Sequence, residues 1–183
     1  MNKLRKNIRL KNYDYSQSGL YFVTVCTDFK EKILWADDDA KNGLSFIGKI
    51  VEESIIFIDE NYEGVSVDKY CIMPNHIHLI IDIGLSGCRR GSLPLRETET
   101  GVCRRGSLPL RGTGNNIQLN EIIGRMKSYT TKRYRELTAN SNGILWQRNF
   151  YEHIIRNDED YAEKWQYIDE NELKWNLIQN YDL

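Results

Sequence analysis

Two of the chain's three histidines, His76 and His78, lie two residues apart at the start of an apolar run. Side chains two residues apart on a β-strand point to the same face, so the two imidazoles are expected to lie side by side. Ile77 and Leu79 would then fill the opposite face. Two neighbouring imidazoles can bind a divalent metal ion, which makes this strand a candidate metal site. The ordinary alternative is a pair of surface or hydrogen-bonded histidines.

The elements that must position these histidines follow from the pattern of apolar, polar and turn residues. Strands are predicted over 19–27, 65–73, 76–83, 144–147 and 150–156, and helices over 45–60, 119–137 and 158–173. Pro74 and Asn75 predict a turn that places the histidines at one end of a hairpin. The order of elements predicts an α+β fold, with a ferredoxin-like or RRM-like antiparallel sheet. Two helices would pack on one side of the sheet, and the third would lie across it.

The last predicted helix carries a second group of polar residues. Tyr161, Trp165 and Ile168 are spaced to form its buried stripe. Tyr167 and Asn171 lie four residues apart on a different face, at the predicted edge between helix and sheet. A tyrosine in such a position is either a common feature of a helix edge or a reactive hydroxyl.

Composition limits the class of protein. With 183 residues, 40% hydrophobic and 28% charged, the chain is expected to form one soluble domain over 1–183. No segment approaches the ~20 apolar residues of a membrane span, so no membrane partner is expected. The basic N-terminus precedes no apolar segment of the kind found in secretory signals. The four cysteines form no CxxC pair, which favours a reducing cytoplasm.

Charge is distributed unevenly although the net charge is only −1. Residues 3–11 and 122–135 are basic segments without an acidic residue. Such segments fit a local phosphate-binding surface, and the alternative is a set of solvated charges. The candidate phosphate contacts in the helix are Arg125, Lys127, Lys132 and Arg133.

A perfect repeat interrupts the domain. The nine-residue sequence CRRGSLPLR occurs at 88–96 and again at 103–111. Two short copies are too few for a solenoid, which needs at least ~3 repeats of 20 or more residues. The segment 84–114 is rich in Gly, Ser, Thr and Arg and has no periodicity. It is expected to be a disordered insertion in a loop, and its arginines are weak candidates for DNA contacts.

Three blocks of the sequence together resemble one family. They are Met73–Leu79, with its histidine–hydrophobic–histidine pattern, Leu145–Arg156, and Tyr167–Asn171. In this order they resemble the HUH single-tyrosine transposases, and more closely the REP-associated tyrosine transposases. The resemblance extends from about Arg9 to Leu177, interrupted by the repeat. The chain departs from the family pattern where Glu172 and Leu173 replace the proline that often follows the asparagine.

The resemblance implies an HUH endonuclease-like site. His76, His78 and Asn171 would bind Mg²⁺ or Mn²⁺, and Tyr167 would be the nucleophile. A tyrosine hydroxyl, with a pKa near ~10, is a weak nucleophile, and a divalent cation would polarise the scissile phosphodiester and align the attack. The tyrosine would take the 5′-phosphate of hairpin-bearing single-stranded DNA and free a 3′-OH, as in DNA transposition and recombination.

Three residues of the second block are further candidates for contacts with that DNA. Arg148 and Arg156 flank His153 and would contact phosphates, while His153 would position the substrate or serve only as an edge-strand histidine. Two other functions stay open. One is a non-catalytic, domesticated nucleic-acid-binding module with an RRM-like sheet, and the other is a metal-dependent hydrolase without a covalent step. A monomer and a homodimer are both compatible with the sequence.

Overall fold

The computed structural model describes residues 18–36, 43–84 and 117–181, without the side chains of residue 172 and residues 176–181. The basic segment 3–11 and, except for Gly84, the predicted insertion 84–114 lie outside these ranges. The described elements are β1 (Gly19–Cys26), α1 (Phe46–Asn61), β2 (Val65–Met73), β3 (His76–Ile83), α2 (Leu119–Thr138), β4 (Tyr151–Ile155) and α3 (Asp158–Tyr181), with a 3-10 turn at Asp28–Lys30. None of the described helices has the length and apolarity needed to cross a membrane.

The four strands form one antiparallel sheet in the order β2-β3-β1-β4. This confirms the predicted α+β, ferredoxin-like fold. The prediction of a strand over 144–147 is wrong, because this segment makes only an isolated bridge between Trp146 and Thr27. The apolar pattern at Leu145 and Trp146 reflects their burial in the core rather than pairing in a strand ladder.

One face of the sheet carries the main core. Val23 and Leu79 are fully buried there against residues of α1 and α2, such as Ile55 and Ile122. Ser45 caps α1 by accepting a hydrogen bond from Gly48 N at 3.0 Å. The core face therefore holds β3, the strand that carries His76 and His78, in a fixed register against β1.

Helix α3 packs on the opposite face of the sheet. Ile168 is 2% exposed and lies in a cluster with Phe22 and Ile80. An ion pair between Lys69 and Asp169 and a cation–π contact from Lys69 to Trp165, at 4.3 Å, tie the helix to β2. Because the histidines point to this same face, α3 is the element that can bring a second group to them.

Candidate active site

The two histidines stand on β3 beside the end of β1. Cys26 pairs with His76, and Thr24 pairs with His78. The two imidazole Nε2 atoms are 3.0 Å apart, with ring planes at 78°. Two ligand atoms ~2.1 Å from one octahedrally coordinated ion lie about 3.0 Å apart when they occupy adjacent corners. The spacing of the two nitrogens therefore fits shared coordination of a divalent cation.

Two neighbouring side chains hold the other nitrogen of each ring. Asn75 Oδ1 lies 2.6 Å from His76 Nδ1, and Thr24 Oγ1 lies 2.9 Å from His78 Nδ1. A carbonyl oxygen can only accept, so His76 Nδ1 donates and its Nε2 keeps a lone pair. The threonine hydroxyl can donate or accept, so it tolerates either tautomer of His78. These contacts orient both Nε2 atoms toward the shared space.

Burial keeps both rings uncharged. Burial, with a smaller contribution from the nearby Lys30 charge, lowers the pKa of His76 to about 4. Burial, with a smaller contribution from the neighbouring His76, lowers the pKa of His78 to about 3. Both histidines are thus neutral at neutral pH, which is the form that binds a metal ion.

Tyr167 lies next to this pair. Its ring meets the His78 ring edge-on with centroids 5.2 Å apart, and it meets Phe22 in the same way at 5.8 Å. Tyr167 is 42% exposed, whereas Ile168 is 2% exposed. As predicted, Tyr167 and Ile168 therefore lie on different faces of α3, one exposed and one buried. The Tyr167 ring is accessible to a substrate beside the histidines.

Asn171 lies between two residues of α3 that contact the histidines. Trp175, four residues further on, has its ring centroid 6.4 Å from that of His76. Residues four apart share a helix face, so Asn171 lies on the same stripe of α3 as Tyr167 and Trp175. Asn171 Nδ2 donates to the Tyr167 carbonyl at 2.7 Å, which leaves the amide oxygen as the atom able to bind a cation.

No group of three His, Cys, Asp or Glu side chains within the described ranges is arranged to hold a metal ion. Asn171 stays the predicted third ligand of a cation at the histidine pair. Thr24, Asn75 and Trp175 were not identified by the sequence reasoning. The register of β1 against β3 and the docking of α3 reveal them.

The third histidine, His153, contacts a carboxylate instead of another imidazole. Its Nε2 lies 2.8 Å from Asp160 Oδ2, and the same carboxylate accepts the backbone N–H of Arg156 at 3.3 Å. Asp160 N in turn donates to Asn157 Oδ1 at 2.8 Å. These contacts join β4 to the first turn of α3 and so help to fix the helix that carries Tyr167.

The predicted basic contacts divide into two groups. Lys127, Lys132 and Arg148 line a cleft of about 760 Å³ whose wall also includes Arg135 and Trp146. Lys127 also donates to the carbonyls of Gln147 and Arg148, so it joins the two sides of the cleft.

The other two basic residues of α2 lie outside this lining. Arg125 forms an ion pair with Glu121, and Arg133 pairs with Glu136 at 2.6 Å. The sixth predicted contact, Arg156, also lies outside the lining, so the structure gathers three of the six in one cleft.

Comparison with known proteins identifies relatives of this chain. No protein-family model matches the chain. A Haemophilus influenzae relative named "Uncharacterized protein" is 34% identical over 177 residues, covering 97% of this chain and 93% of the relative. Another protein of that organism, named "Putative REP-associated tyrosine transposase", is 26% identical over 174 residues, covering 93% of this chain and 80% of its own length.

The fold comparison agrees. A solved structure of a REP-associated tyrosine transposase bound to a REP hairpin superposes with a TM-score of 0.55 at 17% identity, covering 91% of this chain and 73% of the other. Its likeness supports the fold. The 26% identical relative and the order of the three motif blocks support the resemblance found in the sequence: the chain is similar to the REP-associated tyrosine transposases.

Proposed function

We propose that this transposase-family protein is a metal-dependent DNA endonuclease and strand transferase with Tyr167 as its nucleophile. The observation that carries the proposal is the edge-on contact of the Tyr167 and His78 rings, 5.2 Å between centroids, beside the 3.0 Å pair of Nε2 atoms. A nucleophile and a candidate cation site from distant parts of one chain thus adjoin. His76, His78 and Asn171 would hold Mg²⁺ or Mn²⁺.

The proposed reaction is a transesterification. The Tyr167 hydroxyl gives up its proton and its oxygen forms a bond to the phosphorus, while the bond from phosphorus to the 3′-oxygen breaks. The 3′-oxygen takes up a proton in exchange and leaves as a 3′-OH. The 5′-phosphotyrosine conserves the energy of the phosphodiester bond. Joining the DNA strand to another 3′-OH therefore needs no nucleoside triphosphate. A bound divalent cation would polarise the phosphate and offset its charge.

The chain's own residues prepare this reaction. Phe22 and His78 pack against the side of the Tyr167 ring that faces the sheet and leave its other side exposed. Asn75 and Thr24 keep both histidine Nε2 atoms directed into the site. Positioning of this kind lowers the entropic cost of bringing nucleophile and phosphate together.

The proposed substrate is single-stranded DNA that carries a hairpin. The solved relative is bound to a REP hairpin, and the basic cleft of this chain offers Lys132 and Arg148 to phosphates. The cleft residue Gln147 donates its backbone N–H to the Cys26 carbonyl at 3.0 Å, and Cys26 pairs with His76 on β3. Burial raises the pKa of the Cys26 thiol there, and the nearby charges of Lys30 and of the cleft residue Lys127 oppose that rise. A strand held in the cleft can thus continue toward the histidine pair.

The test is formation of a covalent adduct. Wild-type protein is incubated with Mg²⁺ or Mn²⁺ and oligonucleotides in which single-stranded segments flank a hairpin, and adducts are resolved on denaturing gels. The proposal expects an adduct that chelator prevents and that Tyr167→Phe lacks. Tyr151→Phe is the matched control, because Tyr151 is 47% exposed and Tyr167 is 42% exposed.

Each contrary result has a definite meaning. An adduct in Tyr167→Phe, or none in wild type on any such oligonucleotide, would refute the assignment. Loss of the adduct only in Tyr151→Phe would indicate that Tyr151, on β4, is the nucleophile instead of Tyr167. Cleavage by Tyr167→Phe would indicate a hydrolase without a covalent step, and binding that survives both chelation and His76→Ala would indicate a non-catalytic module.

A further inference from the structure

An exposed aromatic residue stands in an unfavourable backbone conformation at the edge of the site. Phe29, in the 3-10 turn after β1, is 87% exposed and has φ 49°. The next residue, Lys30, has φ 58°. The left-handed region costs a bulky residue free energy, and an apolar ring in water contributes little to folding. Neither property helps the fold, which suggests a role outside it.

Hydrogen bonds fix this turn next to the histidine pair. Thr27 N donates to the Asn75 carbonyl at 3.0 Å, and Asp28 N donates to the Leu145 carbonyl at 2.9 Å. Thr27 Oγ1 donates to the Glu31 carbonyl at 2.8 Å and so closes the turn. The turn is therefore anchored on one side to the residue preceding His76.

Lysines and aromatic rings lie together at this edge, beside the acidic side chains of Asp28 and Glu31. Lys30 is exposed in the same turn as Phe29, and its backbone N–H donates to the Thr27 carbonyl at 3.1 Å. Lys32 Nζ lies 5.7 Å from the centre of the Trp175 ring, and that ring lies 6.4 Å from His76. Aromatic rings interleaved with cations are typical of surfaces that bind single-stranded nucleic acid, because bases stack on the rings and phosphates meet the cations.

We propose that Phe29 is a stacking platform for an unpaired nucleobase of single-stranded DNA next to the histidine pair, with Lys30 facing the adjoining phosphate. The inference rests on the proposed function and identifies where the strand leaves the site. An apolar protein surface is less favoured, because the exposed Lys30 and Lys32 would lose hydration against it.

The experiment measures binding apart from chemistry. Fluorescence anisotropy follows a hairpin oligonucleotide with single-stranded flanks, in chelator and without divalent ions, against a fully paired duplex of the same length. Phe29→Ala is expected to weaken binding of the flanked hairpin by about tenfold and to leave duplex binding unchanged, whereas Phe29→Trp retains binding. Phe46→Ala, which removes a ring that is 63% exposed on α1, is the control and is expected to bind as wild type does.

Phe29→Gly separates recognition from folding. Glycine adopts positive φ without strain, so this variant is expected to be at least as stable as wild type while it binds the flanked hairpin weakly. If Phe29 served only to stabilise the fold, its replacement by glycine would not retain stability and at the same time weaken binding of the flanked hairpin.

Binding by Phe29→Ala within about twofold of wild type, or equal losses on flanked hairpin and duplex, would overturn the inference. A wild type that binds through Phe29 yet forms no adduct would overturn the proposed nucleophile and leave the stacking site intact.

Discussion

Acidification is expected to destabilise the metal-free protein through the buried histidine pair. An unfolded histidine has a pKa of 6.5, whereas the folded values are about 4 for His76 and about 3 for His78. Between these values the unfolded chain binds more protons than the folded one. The stabilisation is therefore complete above pH 6.5 and is lost as the pH falls toward the folded pKa values. At about pH 5 each histidine accounts for a loss of about 2 kcal/mol, or about 4 kcal/mol together.

Urea unfolding followed by circular dichroism, in chelator at about pH 7.5 and about pH 5, measures this loss. The double variant His76→Gln/His78→Gln removes both titrations and is expected to lose about 4 kcal/mol less than wild type over that interval. His153→Gln is the control, since it leaves the buried pair intact and retains its acid sensitivity. If the double variant and wild type lose stability in parallel, to within about 1 kcal/mol, the two rings are not held neutral by burial.

Two further sets of variants test the surroundings of the site. Asn75→Ala removes the acceptor of His76 Nδ1 and is expected to weaken Mn²⁺ binding about 10- to 100-fold in calorimetry without DNA, whereas Asn75→Asp keeps an acceptor and binds at least as tightly as wild type. Binding by the alanine variant within about twofold of wild type would contradict this role. Gly48→Ala places a Cβ 2.0 Å from the Leu34 carbonyl oxygen and is expected to cost about 3 kcal/mol of unfolding free energy, while Gly124→Ala, with open space at its Cβ, is expected to add up to about 1 kcal/mol. Equal stability of the two glycine variants in urea unfolding would contradict the close approach.

Local pattern predicted most of the fold. In α2, the apolar residues Leu119, Ile122 and Met126 recur at helical spacing and are buried. Leu137, an apolar residue near the end of the same helix, is 44% exposed. The segment around Trp146 was predicted to be a strand because a buried loop and a strand share the same apolar signal. Its indole N–H donates to Thr130 Oγ1 at 2.7 Å, a contact to α2 that no local pattern contains.

The sequence by itself determined that His76 and His78 share a strand face and that Tyr167 and Asn171 share a helix face. Those relations follow from the two- and 3.6-residue periods of strand and helix. Only the tertiary structure decided that the two faces meet. The meeting depends on β1 pairing beside β3 and on Ile168 packing against Phe22 and Ile80, contacts between distant segments that periodicity does not encode. Burial of the imidazoles and their lowered pKa values follow from that same packing, because desolvation is a property of the assembled site.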